Sequence, residues 1–217
     1  MKIKILGICG SPVKEGNTAL FLEEALKTTR ETTGVETSTV LLSEKNISDC
    51  QHCNWCLKGQ KEGQFCKLKD DMNEIYPLLL EADGLLLASP VYFGRLSGRL
   101  ANFIDRLRVF IHGNYYRHQL KDKVGSALAV SWFRDRGGET TLFSIDLAFS
   151  RLDMLIVPGV TSISSPGSQK EPVADDKHIV LRDKYGLNAA RRSAGRMVEI
   201  IRTVKAGKEA LDKETNQ

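Results

Sequence analysis

The 217-residue sequence has no apolar run long enough to cross a bilayer. Its longest, GLLLASPVYFG, falls well short of the ~20 residues that a spanning helix needs. No secretory leader is expected, since the opening MKIKILGICGSP alternates lysine with apolar residues and breaks at Gly10-Ser11-Pro12, as a first strand does. Excess charge of one sign is small. Lys and Arg number 31 against 27 Asp and Glu, a net +4, and the basic residues lie scattered among acids. That leaves no basic stripe for nucleic acid. Internal repeats, low-complexity tracts and domain-sized linkers are absent. The expectation is an unexported, cytoplasmic protein with neither membrane nor nucleic-acid partners, in a compartment that keeps thiols reduced.

Hydrophobic residues at 41% and charged residues at 27% are ordinary for a globular chain, and the length suits one α/β domain. Short apolar runs alternate with helical patterns. KIKILGIC (2–9), VETSTVLLS (35–43), GLLLASP (84–90), VGSALAVSW (124–132) and MLIVPGV (154–160) read as strands. Two of them, 84–90 and 124–132, are apolar almost throughout, as strands buried on both faces must be. Helices are expected at 17–31, opened by Asn17 or Thr18, and at 71–82, where Pro77 should kink or shorten the element. Others are expected at 97–110, 139–153 and 188–207, with a tail at 208–217 that frays. Strands alternating with helices imply a three-layer α/β fold. Five parallel strands suit the flavodoxin-like order 2-1-3-4-5, whose ligands bind beyond the carboxyl ends of the strands. The domain then covers 1–207, with a cysteine-rich insertion (45–70) after the second strand.

In that order the loops after strands one, three and four converge. GSPVKEGNT (10–18) offers glycine freedom, the polar groups of Ser11, Asn17 and Thr18, and a helix N-terminus. Such a turn suits an anion, most naturally a phosphate, or is simply a capped turn with Asn17 or Thr18 at the cap. It matches neither the Walker nor the G-x-G-x-x-G pattern. SPVYFGRLSGRL (89–100) ends a strand at Pro90 and exposes Tyr92 and Phe93 before Gly94. It can hold backbone groups against the edge of a planar heterocycle, or it can be a hydrophobic corner or subunit contact. Arg95 and Arg99 are either a positive field for a reduced, anionic ring or surface residues. SWFRDRGGETT (131–141) brings Gly137 and Gly138 for close backbone approach, with Ser131 or Trp132 flanking a ring, or is a surface loop.

The set GSPVKEGNT, SPVYFGRLSGRLANFIDR and RGGETTL resembles the flavodoxin-like NAD(P)H-dependent FMN reductase superfamily. With the cysteine run and LKDDM after it, the chain is similar to the iron–sulfur flavoproteins as far as about residue 165. The resemblance implies FMN, its phosphate at Ser11, Gly16, Asn17 and Thr18 and its isoalloxazine at Pro90, Val91, Tyr92, Phe93 and Gly94. Gly137 and Gly138 would complete the pocket. Val13 stands where such loops commonly carry arginine, so Lys14 or backbone groups alone would have to serve the phosphate.

Four of the five cysteines fall in SDCQHCNWCLKGQKEGQFCKLKDD (48–71). Cys50, Cys53 and Cys56 stand at every third residue, too compact for the usual structural zinc site. They resemble the first three ligands of a [4Fe–4S] loop, closed by Cys66 through the flexible Gly59 and Gly63. Zinc and a thiol or disulfide switch are the alternatives. In the resembled family the fourth cysteine comes sooner, so Cys66 is the least determined ligand. Cys9 reads as a small core residue.

A flavin exchanges two electrons or one and a cluster exchanges one, so no catalytic side chain is required. The expected function is electron transfer between a ferredoxin-like donor and a small acceptor. The rival is an NAD(P)H-dependent FMN or quinone reductase with structural or zinc-bound cysteines. The resemblance also implies a homodimer or homotetramer in which the cluster of one subunit approaches the flavin of another. IHGNYYRHQL (111–120), with Tyr115 and Tyr116, is a candidate interface or a local packing unit.

Overall fold

A computed structural model describes residues 1–133, 137–164 and 178–215. Its strands are β1 (Ile3–Cys9), β2 (Val35–Leu41), β3 (Gly84–Tyr92), β4 (Arg95–Leu96), β5 (Val124–Ser131) and β6 (Leu155–Ile163). The helices are α1 (Asn17–Arg30), α2 (Met72–Glu81), α3 (Gly98–Arg106), α4 (Arg108–His112), α5 (Gly138–Arg151) and α6 (Lys184–Thr215). Five strands pair in parallel in the order β2-β1-β3-β5-β6. This is the flavodoxin-like order. The sixth strand, β4, pairs antiparallel with β3 and corrects the expected count of five. It arises because Phe93-Gly94 makes a two-residue turn that folds the chain back on itself.

Every residue of β5 and the first seven of β3 are buried, as their unbroken apolar character requires. Strand alternation divides the interior in two. Leu6, Ile8, Leu85 and Leu87 face Tyr76 of α2, Phe103 of α3 and Phe149 of α5. Ile3, Ile5, Leu86 and Leu128 face Phe21 and Leu22 of α1 and Met197 and Val198 of α6. At the edge, Pro158 lacks an N–H for the ladder, and the register of β6 against β5 slips there between Ser126 and Leu128.

Helix α2 runs from Met72 through Pro77 to Glu81, within the expected 71–82. Other expectations need correction. The segment 97–110 is two helices, because Leu107 N–H donates back to Ile104 C=O and tightens the turn between them. Helix α6 extends to Thr215, beyond the expected end at 207, and its exposed last stretch pairs Lys208 with Asp122 at 3.2 Å. No helix among the described residues is long and apolar enough to cross a membrane.

Candidate functional site

The carboxyl ends of β1 and β3 lie side by side, and the loops that leave them are tied directly together. Gly10 N–H donates to Ala88 C=O at 2.8 Å, and the Ser97 hydroxyl donates to Gly10 C=O at 2.6 Å. The same hydroxyl accepts Leu100 N–H at 3.2 Å and so caps α3. Ser97 N–H in turn donates to the buried Ser89 Oγ at 2.9 Å. A Cβ on Gly10 would lie 2.6 Å from Leu100 Cβ, so only glycine permits this approach. Neither Ser89 nor Ser97 was among the expected site residues. The Ser97-Gly98 start of an amphipathic segment is an N-cap signal that could have marked Ser97.

At the first turn of α1 the N-cap is Gly16, not Asn17 or Thr18, and no described side chain caps it. The turn holds no acid, so neither its N–H groups nor the positive end of the helix dipole is matched by a side chain of that turn. Asn17 begins the helix, and its Oδ1 accepts Val180 N–H at 2.9 Å from the 3₁₀ turn Ile179–Arg182. Ser11 and Thr18 are buried, and Ser11 Oγ accepts Val13 N–H at 3.1 Å. Lys14 points elsewhere, to Glu44 at 2.6 Å.

The third strand ends in buried Pro90, half-buried Val91 and exposed Tyr92, then turns through Phe93 (φ 50°) and Gly94 (φ 75°). Two successive positive φ values are those of a type I′ hairpin turn. Phe93 is a large apolar residue held fully in solvent in a left-handed conformation that non-glycine residues seldom adopt. Gly137 (φ 89°) packs on this turn: a Cβ there would fall 2.4 Å from Gly94 Cα. Gly138 opens α5 beside Thr161. Trp132 and Phe133 stand exposed next to it, edge to face at 6.2 Å, while Arg134, Asp135 and Arg136 lie outside the described residues. Ser131 is buried, and its hydroxyl donates to Phe133 C=O at 2.6 Å. Arg99 is engaged with Leu42 C=O at 2.9 Å, whereas Arg95 is exposed.

The insertion is held from both ends by one buried side chain. Arg106 Nη1 donates to Ser48 C=O at 2.8 Å, ahead of the cysteines, and both Nη atoms engage the Asp70 carboxylate behind them. Gln60 is a second hub, since its Nε2 donates to Phe65 and Val109 carbonyls and its Oε1 accepts Tyr115 and Tyr116 N–H groups. Phe65 stacks between Tyr76 (4.9 Å) and Tyr116 (4.0 Å). Tyr116 is therefore packed locally, with its hydroxyl accepting Gly63 N–H at 2.8 Å, while Tyr115 is exposed.

Within this frame His52 (φ 48°) and Asn54 (φ 56°) take left-handed conformations, and Trp55–Leu57 forms a 3₁₀ turn. Cys50, Cys53, Cys56 and Cys66 all line one cavity, with Arg106 and Arg108 among its other walls. Among the described residues, no three His, Cys, Asp or Glu side chains converge closely enough to hold a single metal ion. Burial pushes the Cys56 thiol up, opposed by the Arg108 guanidinium and reinforced by Cys66. A larger groove of about 450 Å³ adjoins this cavity and shares Cys50, His52 and Arg108 with it. Cys9 is apart from all of this, buried in β1, where desolvation pushes its thiol up to about 11.

Residues 3–168 match the family model of NADPH-dependent FMN reductase. An iron–sulfur flavoprotein of Methanocaldococcus jannaschii is 37% identical over 206 residues, 94% of this chain and 100% of that protein. An Archaeoglobus fulgidus iron–sulfur flavoprotein is 34% identical, over 91% of this chain and 96% of that protein. The chain belongs to the iron–sulfur flavoproteins. As an iron–sulfur flavoprotein of the FMN reductase family it is an oxidoreductase. Its fold is shared with RosB, solved with 8-demethyl-8-formylriboflavin-5'-phosphate, at a TM-score of 0.70 and 15% identity over 98% of this chain and 87% of that one. It is shared also with the NAD(P)H:quinone oxidoreductase of Methanothermobacter marburgensis, at a TM-score of 0.61 and 15% identity over 89% and 98% of the two chains. In this iron–sulfur flavoprotein Ser97, at the start of α3, joins the first two glycine-bearing loops, and Arg106, at its end, lines the four-cysteine cavity.

Proposed function

We propose that the protein binds FMN across the three loops at the carboxyl ends of β1, β3 and β5, and a [4Fe–4S] cluster at Cys50, Cys53, Cys56 and Cys66. It transfers electrons between a one-electron donor of the ferredoxin type and a small acceptor. The observation that carries this reading is the cavity lined by all four thiols. A cubane takes one thiolate at each of its four iron corners, and four cysteines around one cavity supply that donor set.

The residues present also suit FMN. The uncapped first turn of α1 offers N–H groups and a positive dipole end to a phosphate. The hairpin at Phe93-Gly94 and the adjoining Gly137 bring backbone close to where a ring would lie. When bound, the two cofactors exchange electrons in pairs or singly, which is chemistry the side chains do not supply. The protein's own part is to bind and orient them. Gly10, Ser97 and Ser89 fix the two loops against each other, and Arg106 and Gln60 fix the insertion.

Anaerobic purification followed by iron and flavin analysis tests this directly. The expected result is one FMN and about four irons per chain. A yellow protein without iron, bleached by NADPH with no protein donor present, would instead establish the NAD(P)H-dependent FMN or quinone reductase.

A further inference from the structure

Two arginines line the four-cysteine cavity, and they are engaged very differently. Arg106 is fully buried, its charge matched by Asp70 and its donors directed to Asp70 and Ser48. Arg108 has no ion-pair partner among the described residues. One Nη2 proton goes to Asn54 Oδ1 at 2.8 Å, and the buried Nε has no acceptor at all among the described residues. A buried donor left unmatched carries a desolvation cost, and native folds seldom tolerate one unless something further occupies the site. The tether is specific. Asn54 lies between Cys53 and Cys56 in a left-handed conformation, and Arg108 opens α4, next to the turn that ends α3.

We infer that Arg108 Nε donates a hydrogen bond to a sulfur atom of the iron–sulfur cluster, with Asn54 orienting the guanidinium, and that this contact raises the cluster's reduction potential. The inference rests on the cluster assignment proposed above. Reduction adds one negative charge to the cluster, so a cationic donor at its sulfur stabilises the reduced form more than the oxidised one. The direction of the shift follows from that difference. Arg106 cannot serve in its place, since its charge is already neutralised.

The test compares Arg108→Met, Arg108→Lys and Asn54→Ala with the wild type, all purified anaerobically as the full chain. Iron is counted per chain, and the cluster midpoint is read by a redox titration followed by electron paramagnetic resonance. With iron content retained, Arg108→Met is expected to favour the oxidised form at least tenfold, a fall of about 59 mV for one electron. Arg108→Lys keeps the charge without the planar donor and should fall by an intermediate amount. Asn54→Ala should fall least. In the wild type, Fe–S stretching bands should shift on exchange into D₂O, and that shift should be lost in Arg108→Met. If Arg108→Met does not load, the lysine and alanine variants decide the matter. A loaded Arg108→Met or Arg108→Lys protein with the wild-type potential overturns the assignment while leaving the cluster reading intact. A wild type without iron removes the cluster reading itself.

Discussion

Arg106 and Asp70 form a two-point ion pair, 2.5 and 3.1 Å, with the two side chains only 1% and 5% exposed, beneath the cysteine-rich insertion. The arginine reaches Ser48 on the other side, so one residue of α3 closes the insertion at both ends. Asp70→Ala should leave that guanidinium buried and unmatched, at a cost of about 3–5 kcal/mol. Urea unfolding of the alanine variant would show this as a lower midpoint at unchanged slope. A variant as stable as the wild type would mean that the insertion does not depend on the pair.

The same pair predicts a pH dependence. Burial works against the ionised Asp70, but hydrogen bonds from Arg106, Ser48 N–H and Met72 N–H outweigh it and hold the carboxyl below its usual range. A carboxyl whose pKa is lower in the folded state adds stability above its unfolded pKa of about 3.9 and loses it as pH falls through the folded value. The pair's contribution should therefore be undiminished from pH 5 to 8 and fade only below about pH 4. Asp70→Asn should flatten that acid limb in unfolding curves measured across pH.

Gly137→Ala should damage the loops proposed to hold FMN. Its φ of 89° is strained for alanine, and the new methyl would fall 2.4 Å from the backbone of Gly94. A strain of about 1–3 kcal/mol would weaken FMN binding roughly ten- to a hundredfold if the hairpin must shift to relieve it. Titration of apoprotein with FMN, followed by flavin fluorescence, measures this. Gly63→Ala is the matched control, since its φ of 72° is similar but no atom lies within 4 Å of the added methyl.

Ser97→Ala removes a helix cap and the bond to Gly10 C=O together. A loss of about 1–2 kcal/mol in global stability is expected. Thermal melts read the stability, and weaker FMN binding should accompany it because Ser97 joins the first two loops.

Thiol labelling separates the cysteines. Cys9 is buried with its thiol pushed up to about 11, so it stays protonated at neutral pH and should resist iodoacetamide in the folded protein. The exposed Cys53 should react once iron is removed. Mass spectrometry after digestion distinguishes the two, and rapid modification of Cys9 at pH 7 would contradict its placement. Cys9→Ser should leave iron content unchanged, whereas Cys53→Ser should lower it.

Sheet order and layers were legible because short apolar runs such as 124–131, alternating with helical patterns, fit strands covered on both sides in a flavodoxin-like order. The glycine-bearing loops were legible because turns and close approaches admit few other residues, as Gly10 and Gly137 illustrate. The links between them were not. Asn17 meets Val180, and Gln60 meets Val109 and Tyr116, across separations that no local pattern encodes. Arg106 and Arg108 received no role from the sequence. Their neighbours in space come from residues 48–70, and only the folded chain brings those together. The strand β4 was missed for a similar reason, since a two-residue strand has no periodicity to detect.

Helix α3 runs from the cap at Ser97, which grips the first loop, to Arg106, which grips the insertion. At about 1.5 Å per residue its nine residues measure roughly 14 Å. The helix is thus a ruler between the loops at the sheet's carboxyl edge and the cysteine-rich insertion, stiffer than any loop. Lengthening it by a turn would move the two apart by about 5 Å without changing a residue of either.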